Sequence, residues 1–179
     1  MSIVHGSTGI TYFVHEWDAD GNFVSEFALL NDHELAPAVT EINAELTELA
    51  SVINSDTLEG KHTTEILQGA SSDDISTDYG IDPVASMLKK QDGEYYLFAV
   101  RMREDPAQAA FVFDGLFEGG QWQAHVLGED RVIDIIDGTL VDDFAGYDTH
   151  LYHIVPEPGS AALLGLASIA LLRRKRWRR

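Results

Sequence analysis

Between residues 35 and 53 the apolar positions Leu35, Val39, Ile42, Leu46, Leu49 and Ile53 fall 4, 3, 4, 3 and 4 residues apart. That spacing lines them along one stripe of an α-helix, so a helix is predicted over about residues 33–53. Asn31 or Asp32 can cap it, and Pro37 is tolerated because it lies near the first turn. Upstream, ITYFVHEW (residues 10–17) follows the Gly6-Ser7-Thr8-Gly9 break and is rich in aromatic and β-branched residues, which predicts a strand. The Asp18-Ala19-Asp20-Gly21-Asn22 run that follows reads as a loop.

From about residue 60 the texture changes to short strands punctuated by turns. VASMLKK (84–90) and EYYLFAVRM (94–102) are predicted to form a hairpin with Asp-Gly in its connection. AAFVF (109–113) and WQAHVL (122–127) follow across Gly-rich turns. RVIDII (131–136), Asp137-Gly138 and TLVDDF (139–144) read as a second hairpin, and HLYHIV (150–155) as a last strand. Short strands at this spacing predict an antiparallel β-sandwich. A single strand with one amphipathic helix cannot bury its own faces, and such a unit normally belongs to a larger parallel sheet.

The last segment follows neither period. From Ala161 to Leu172 twelve residues carry no charge, between a Pro-Glu-Pro and a basic end. As a helix they span about 18 Å, or about 22 Å with residues 158–160 included, against a hydrocarbon core of about 30 Å. Thinning of the bilayer and snorkelling arginines relieve that shortfall. The membrane face is Ala161, Leu163, Leu164, Leu166, Ile169, Leu171 and Leu172; the anchor is Arg173, Arg174, Lys175, Arg176, Arg178 and Arg179. Lys and Arg beyond the span hold that end in the cytoplasm and place the body outside.

Charge sharpens the division. The chain carries 12 Lys and Arg against 30 Asp and Glu, and six of the 12 follow Leu172, so a body of about −24 precedes a tail of +6. A body that acidic repels phosphate backbones, which argues against a nucleic-acid partner. With no cysteine there is no disulfide, thiol nucleophile or Cys-based zinc site.

Val155, Pro156, Glu157 and Pro158, then the apolar run and the Arg-rich end, closely resemble the PEP-CTERM sorting signal. The resemblance implies export across the inner membrane of a Gram-negative bacterium. It also implies cleavage by an exosortase, a membrane-embedded cysteine transpeptidase, before release to the cell surface or extracellular matrix. The alternative is a plain short membrane anchor.

The body resembles glycoside-hydrolase-like proteins. VHGSTGITYFVHEW, then ALLND and INAELTELASVINSDT, is similar to the final strand and helix of their TIM barrel. KKQDGEYYLFAVRMREDPAQAAFVF and VLGEDRVIDIIDGTLVDDFAGYDTHLYHI resemble their appended C-terminal β-sandwich. Arg101 stands where that strand motif usually has Asn, and SVINSDT replaces APVLNSPT. The resemblance implies two catalytic carboxylates on earlier strands of the barrel, outside these residues, about 5–5.5 Å apart in a retaining enzyme. Activity of this chain on its own is therefore not expected. The N-terminus lacks a basic n-region, an h-region and a cleavage site, so Met1 is expected to be an internal start of a longer protein.

Individual residues add little further chemistry. Trp17, at the end of the first strand, is a candidate sugar-stacking contact. Glu16 and Asp18 share a strand face but lack a placed partner. The loop from Asp18 fails as an EF-hand, because position 6 is Phe23 and position 12 is Leu29. His150 and His153 point to opposite faces of a strand, with Tyr152 and Ile154 beside His150, so no metal site is expected. Glu129, Asp130 and Arg131 read as a turn with a local ion pair, and Trp122 as packed between sheets.

The expected fold is therefore mainly β with α. It comprises a strand-helix remnant of a (β/α) barrel (1–56), an antiparallel β-sandwich (57–154) and a sorting segment with a short transmembrane helix (155–179). The expected function is that of an exported surface protein without cofactors, whose partners are the exosortase, the inner membrane and a polysaccharide. The competing classes are a glycosidase completed by upstream sequence, and a surface adhesion or carbohydrate-binding module.

Overall fold

The computed structural model describes residues 2–69 and 82–157. In chain order the first elements are β1 (Glu16–Trp17), β2 (Phe23–Ser25), α1 (Ala28–Asn31), α2 (Leu35–Glu48) and α3 (Ala50–Ile53). Then come β3 (Asp56–Thr57), β4 (His62–Gln68), β5 (Val84–Gln91), β6 (Glu94–Arg101), β7 (Ala107–Phe113), β8 (Trp122–Val126), β9 (Arg131–Ile135), β10 (Thr139–Phe144) and β11 (Thr149–Pro156). The chain is mainly β with antiparallel pairing throughout. A six-stranded sheet, ordered β3-β5-β6-β11-β8-β9, lies against a three-stranded one, β10-β7-β4.

Period-2 alternation builds the core between them. Leu97 and Ala99 on β6, Ala109, Phe111 and Phe113 on β7, Leu140 and Phe144 on β10, and Tyr152 and Ile154 on β11 bury one face of each strand. Arg101 is also fully buried at the end of β6. Its guanidinium donates to the backbone carbonyls of Asp105 (2.9 Å) and Pro83 (3.1 Å) and lies 2.9 Å from the Asp105 carboxylate. A cation survives there because Nε and Nη1 each meet a carbonyl and the Asp105 carboxylate lies beside Nη2 as its counter-charge.

The predicted hairpin of residues 84–102 is present as β5 paired with β6. The second hairpin is corrected. Ile136 and Thr139 exchange both backbone hydrogen bonds around Asp137-Gly138, but β9 then joins the six-stranded sheet and β10 the three-stranded one. Both turn residues have positive φ, 47° and 73°, the geometry that Asp-Gly favours. The turn is thus a corner between sheets, β9 pairing with β8 and β10 with β7. β4, whose HTTEILQ is largely polar, gave no alternating signal; it is an edge strand paired only with β7.

The strand predicted over 10–17 is also corrected. Only Glu16–Trp17 is strand, in a short antiparallel hairpin with β2. Residues 10–15 have strand-forming side chains but no neighbouring backbone to complete a ladder. The predicted helix is present as α2 and α3, meeting at Leu49. Asp32 caps it, its carboxylate accepting from the amides of Glu34 (2.8 Å) and Leu35 (2.9 Å). These bonds hold the exposed Asp32 carboxyl below its usual range. The apolar stripe is only half used. Val52 and Ile53 are buried on the outer face of β5 and β6 against Met87 and Phe98, with Leu46 and Leu49 beside them, whereas Leu35 and Ile42 stay exposed.

Among the described residues no helix is long and apolar enough to cross a membrane. The predicted span from Ala161 to Leu172 and the basic end after it lie outside the described residues.

Candidate functional site

Among the described residues the largest polar constellation lies at one end of the sandwich, where inward-facing positions of β9, β10 and β11 carry Arg131, Asp142 and His150. Arg131 forms a fork on Asp142, with Nη2 donating to Oδ2 at 3.0 Å and Nη1 to Oδ1. The buried Tyr152 hydroxyl donates to the same Oδ2 at 2.7 Å, and the Asp143 amide to Oδ1 at 2.9 Å. On the other side Arg131 Nε donates to Glu129 at 2.9 Å. His150 Nδ1 is 2.6 Å from the second Glu129 oxygen and 3.2 Å from Arg131 Nη2. Nε2 of the same ring lies 3.5 Å from Asp148.

Burial alone would raise the Glu129 carboxyl, but the bonds from His150 and Arg131 outweigh it and hold the group below its usual range. Hydrogen bonding to Asp142 drives Arg131 upward. Burial, then the adjacent Asp142 charge, pushes Tyr152 far above the ordinary phenol. Tyr152 therefore remains a donor and Asp142 its acceptor. With each oxygen of Asp142 taking two donors, that carboxylate has no lone pair to spare for nucleophilic or acid–base work. The group instead ties the large sheet to the small one. The expected Glu129–Arg131 ion pair is present, but as one edge of this clamp. The signal for the rest was parity: Asp142 falls between Leu140 and Phe144 on the inward face, and Arg131 aligns with Ile133 and Ile135.

A second polar group joins the sheets at the opposite edge. His62 Nε2 lies 2.8 Å from Ser86 Oγ, which is 2.6 Å from Thr64 Oγ1, beside a cleft of about 480 Å³. His62 Nδ1 is buried without a partner. Burial holds His62 below the ordinary imidazole value.

The other predicted residues are scattered. Trp17 is 55% exposed, edge-on to Phe23 at 5.4 Å, in a file of rings that continues through His15 to Phe13. Beside it the Asp18 carboxylate accepts from the amides of Asp20 and Asn22 and from the Asn22 side chain. It is a turn anchor, held below its usual range chiefly by the Asn22 bonds. His150 and His153 do face opposite ways; His153 stacks on Tyr96 at 4.7 Å and is 3.0 Å from Glu94. Among the described residues no three His, Asp or Glu side chains gather to hold a metal. Trp122 packs on Phe117 at the rim of the core, with ring centroids 4.9 Å apart.

Val155 and Pro156 end β11, opposite Gln123 and Trp122 of β8, and the Glu157 amide donates to the Gln121 carbonyl at 2.9 Å. This strand end is where a family match begins. Residues 155–179 carry the PEP-CTERM protein-sorting motif. The PEP-CTERM motif implies export, sorting in a membrane context and processing by an exosortase. No curated protein matches the chain. Among solved structures, an Anoxybacillus α-amylase is 18% identical with a TM-score of 0.45, over 70% of this chain and 23% of that one. AmyP bound to maltose is 12% identical with a TM-score of 0.46, over 74% and 23%. An AmyP variant bound to maltotriose is 14% identical with a TM-score of 0.45, over 76% and 24%. The chain thus spans about a quarter of the length of each.

Proposed function

We propose that this is an exported cell-surface protein of a Gram-negative bacterium. It is held briefly in the inner membrane by Ala161 to Leu172 and released when an exosortase-type enzyme cleaves at the Val155-Pro156-Glu157-Pro158 motif. The observation that carries the reading is the match over residues 155–179, with proline-flanked glutamate, apolar run and arginines in order. The six cations after Leu172 favour a cytoplasmic end, and a span of about 18 Å suits temporary retention. The body is then cargo on the outer side. Its exposed rings at Phe13, Trp17 and Phe23 offer apolar faces to a surface polysaccharide, with Trp17 as the principal sugar contact.

Replacing Pro156, Glu157 and Pro158 together by alanine tests this. The altered chain is expected to accumulate uncleaved in the inner-membrane fraction, while the natural chain loses its basic end by intact mass. Identical processing of both chains would sink the proposal.

A further inference from the structure

The sorting motif begins inside the folded body. Val155 and Pro156 belong to β11, and Glu157 bonds to Gln121 just ahead of β8. Along an antiparallel strand, backbone groups point alternately to one neighbour and the other. Glu157 points toward β8; Val155 therefore does too, and Pro156 points away. On that other side β6 pairs with β11 only as far as Tyr95 opposite Ile154, so Pro156 faces an open edge. A proline there forfeits no ladder bond. The register thus lets a Pro-Glu segment complete a sheet, and the half-buried Glu157 lines a cleft of about 300 Å³ with Gln123, Asp134 and Ile136.

Distance makes this pairing matter. Only residues 158–160 separate Glu157 from Ala161, and three extended residues span about 10–11 Å. An enzyme working at the membrane must reach the motif while a sandwich stands directly over it. In the paired state one backbone edge of the motif is taken by β8, and the glutamate lies against the body.

We propose that the segment Gln121–Gln123 is a latch on the sorting motif: residues 155–157 must peel from it before the processing enzyme can act, so the body sets the pace of its own release. This rests on the exosortase reading of the tail. The natural chain has no cysteine, so a Val155→Cys, Gln123→Cys pair reports on the latch without interference. These residues sit directly opposite one another, at a separation a disulfide can bridge.

Pulse-chase in cells that carry the processing enzyme provides the readout. The full chain with the disulfide closed is expected to be processed at least tenfold more slowly than the same chain under a permeant reductant. Inserting Gly-Ser-Gly-Ser between Ile154 and Val155 leaves β11 paired with β6 but frees the motif, and is expected to speed processing severalfold. Equal rates for the closed and opened disulfide would overturn the latch. So would slower processing of the insertion chain, which would mean that the enzyme takes the motif as a strand presented by β8. A Glu157→Ala chain separates the two levels: if it stays uncleaved while the latch tests fail, the sorting reading stands alone, and if it is cleaved normally, that reading fails and the latch with it.

Discussion

Asp142 and Tyr152 show how one buried contact distributes its energy between partners. Tyr152→Phe deletes a single hydroxyl and leaves Asp142 with three other donors, Arg131 twice and the Asp143 amide. It is expected to cost about 1.5–3 kcal/mol, the range for a hydrogen bond to a charged group. Asp142→Ala strands the buried hydroxyl and the Arg131 fork together, and about 3–5 kcal/mol is expected, toward the lower end because Arg131 is partly exposed. Urea midpoints of the two variants check the ordering; Tyr152→Phe as the more damaging change would contradict it. His62 gives a prediction in pH. Burial depresses its folded-state value below the ordinary 6.5, so above about 6.5 the ring is neutral in both states and its contribution is complete. As pH falls below that, the unfolded chain takes up the proton first and stability is lost until the folded value is passed. His62→Gln is expected to flatten the loss of stability between pH 7 and 5, and an unchanged slope in urea titrations would refute it. Neither group was named from sequence as a cluster, although each lay on a readable strand face. Parity tells which way a side chain points, but pairing Arg131 with Asp142 requires knowing that β9 and β10 separate into different sheets.

At the scale of elements, periodicity found the strands from residue 84 onward to within two or three residues at each end, because both ends of each are bounded by turn chemistry. It failed where a strand's identity depends on its neighbours: β4 is polar because it is an edge, and residues 10–15 are apolar without an edge to join. The helix was legible in its stripe but not in its use. Val52 and Ile53 pack on Met87 and Phe98, whereas Leu35 and Ile42 remain 54% and 44% exposed. The two ends of one stripe should therefore respond differently. Ile53→Ala is expected to destabilise by about 2–4 kcal/mol, the range for truncating a buried isoleucine. Ile42→Ser should stay within about 0.5 kcal/mol, as a surface change. Thermal melts of both read this directly, and a large loss in the Ile42 variant would show that the stripe is covered in solution along its whole length.

For the whole molecule the question is whether the helical segment and the sandwich stand or fall together. The main core draws its buried residues from Val84 to Ile154, with Leu58 and Ile66 packed at its rim, and none from residues before 56. Residues 2–54 touch the sandwich through a second cluster on the outer face, where Ile3, Val4, Leu46, Leu49, Val52 and Ile53 cover Met87, Phe98, Tyr96 and Leu151. Ser51 Oγ donates to Gln91 Oε1 across the junction at 3.3 Å, and just past it Lys89 Nζ donates to the Ser55 carbonyl at 3.0 Å. A chain beginning at Ser55 loses the exposed Ser51 bond but keeps the Lys89 one and the entire inter-sheet core. Its loss is the burial of Val52 and Ile53, about 1.5–3 kcal/mol for each side chain, together with an apolar patch newly exposed on the outer face. It is expected to unfold in one cooperative urea transition at a lower midpoint and to bind a hydrophobic dye that the full chain does not. A broad, non-cooperative melt would show instead that the outer-face cluster completes the fold and that the two parts are a single domain. That result would also bear on the tail, since β11 is at once the strand central to the larger sheet and the strand that leads into the sorting motif: a body that cannot hold β11 without residues 1–54 could not hold Val155–Glu157 against β8 either.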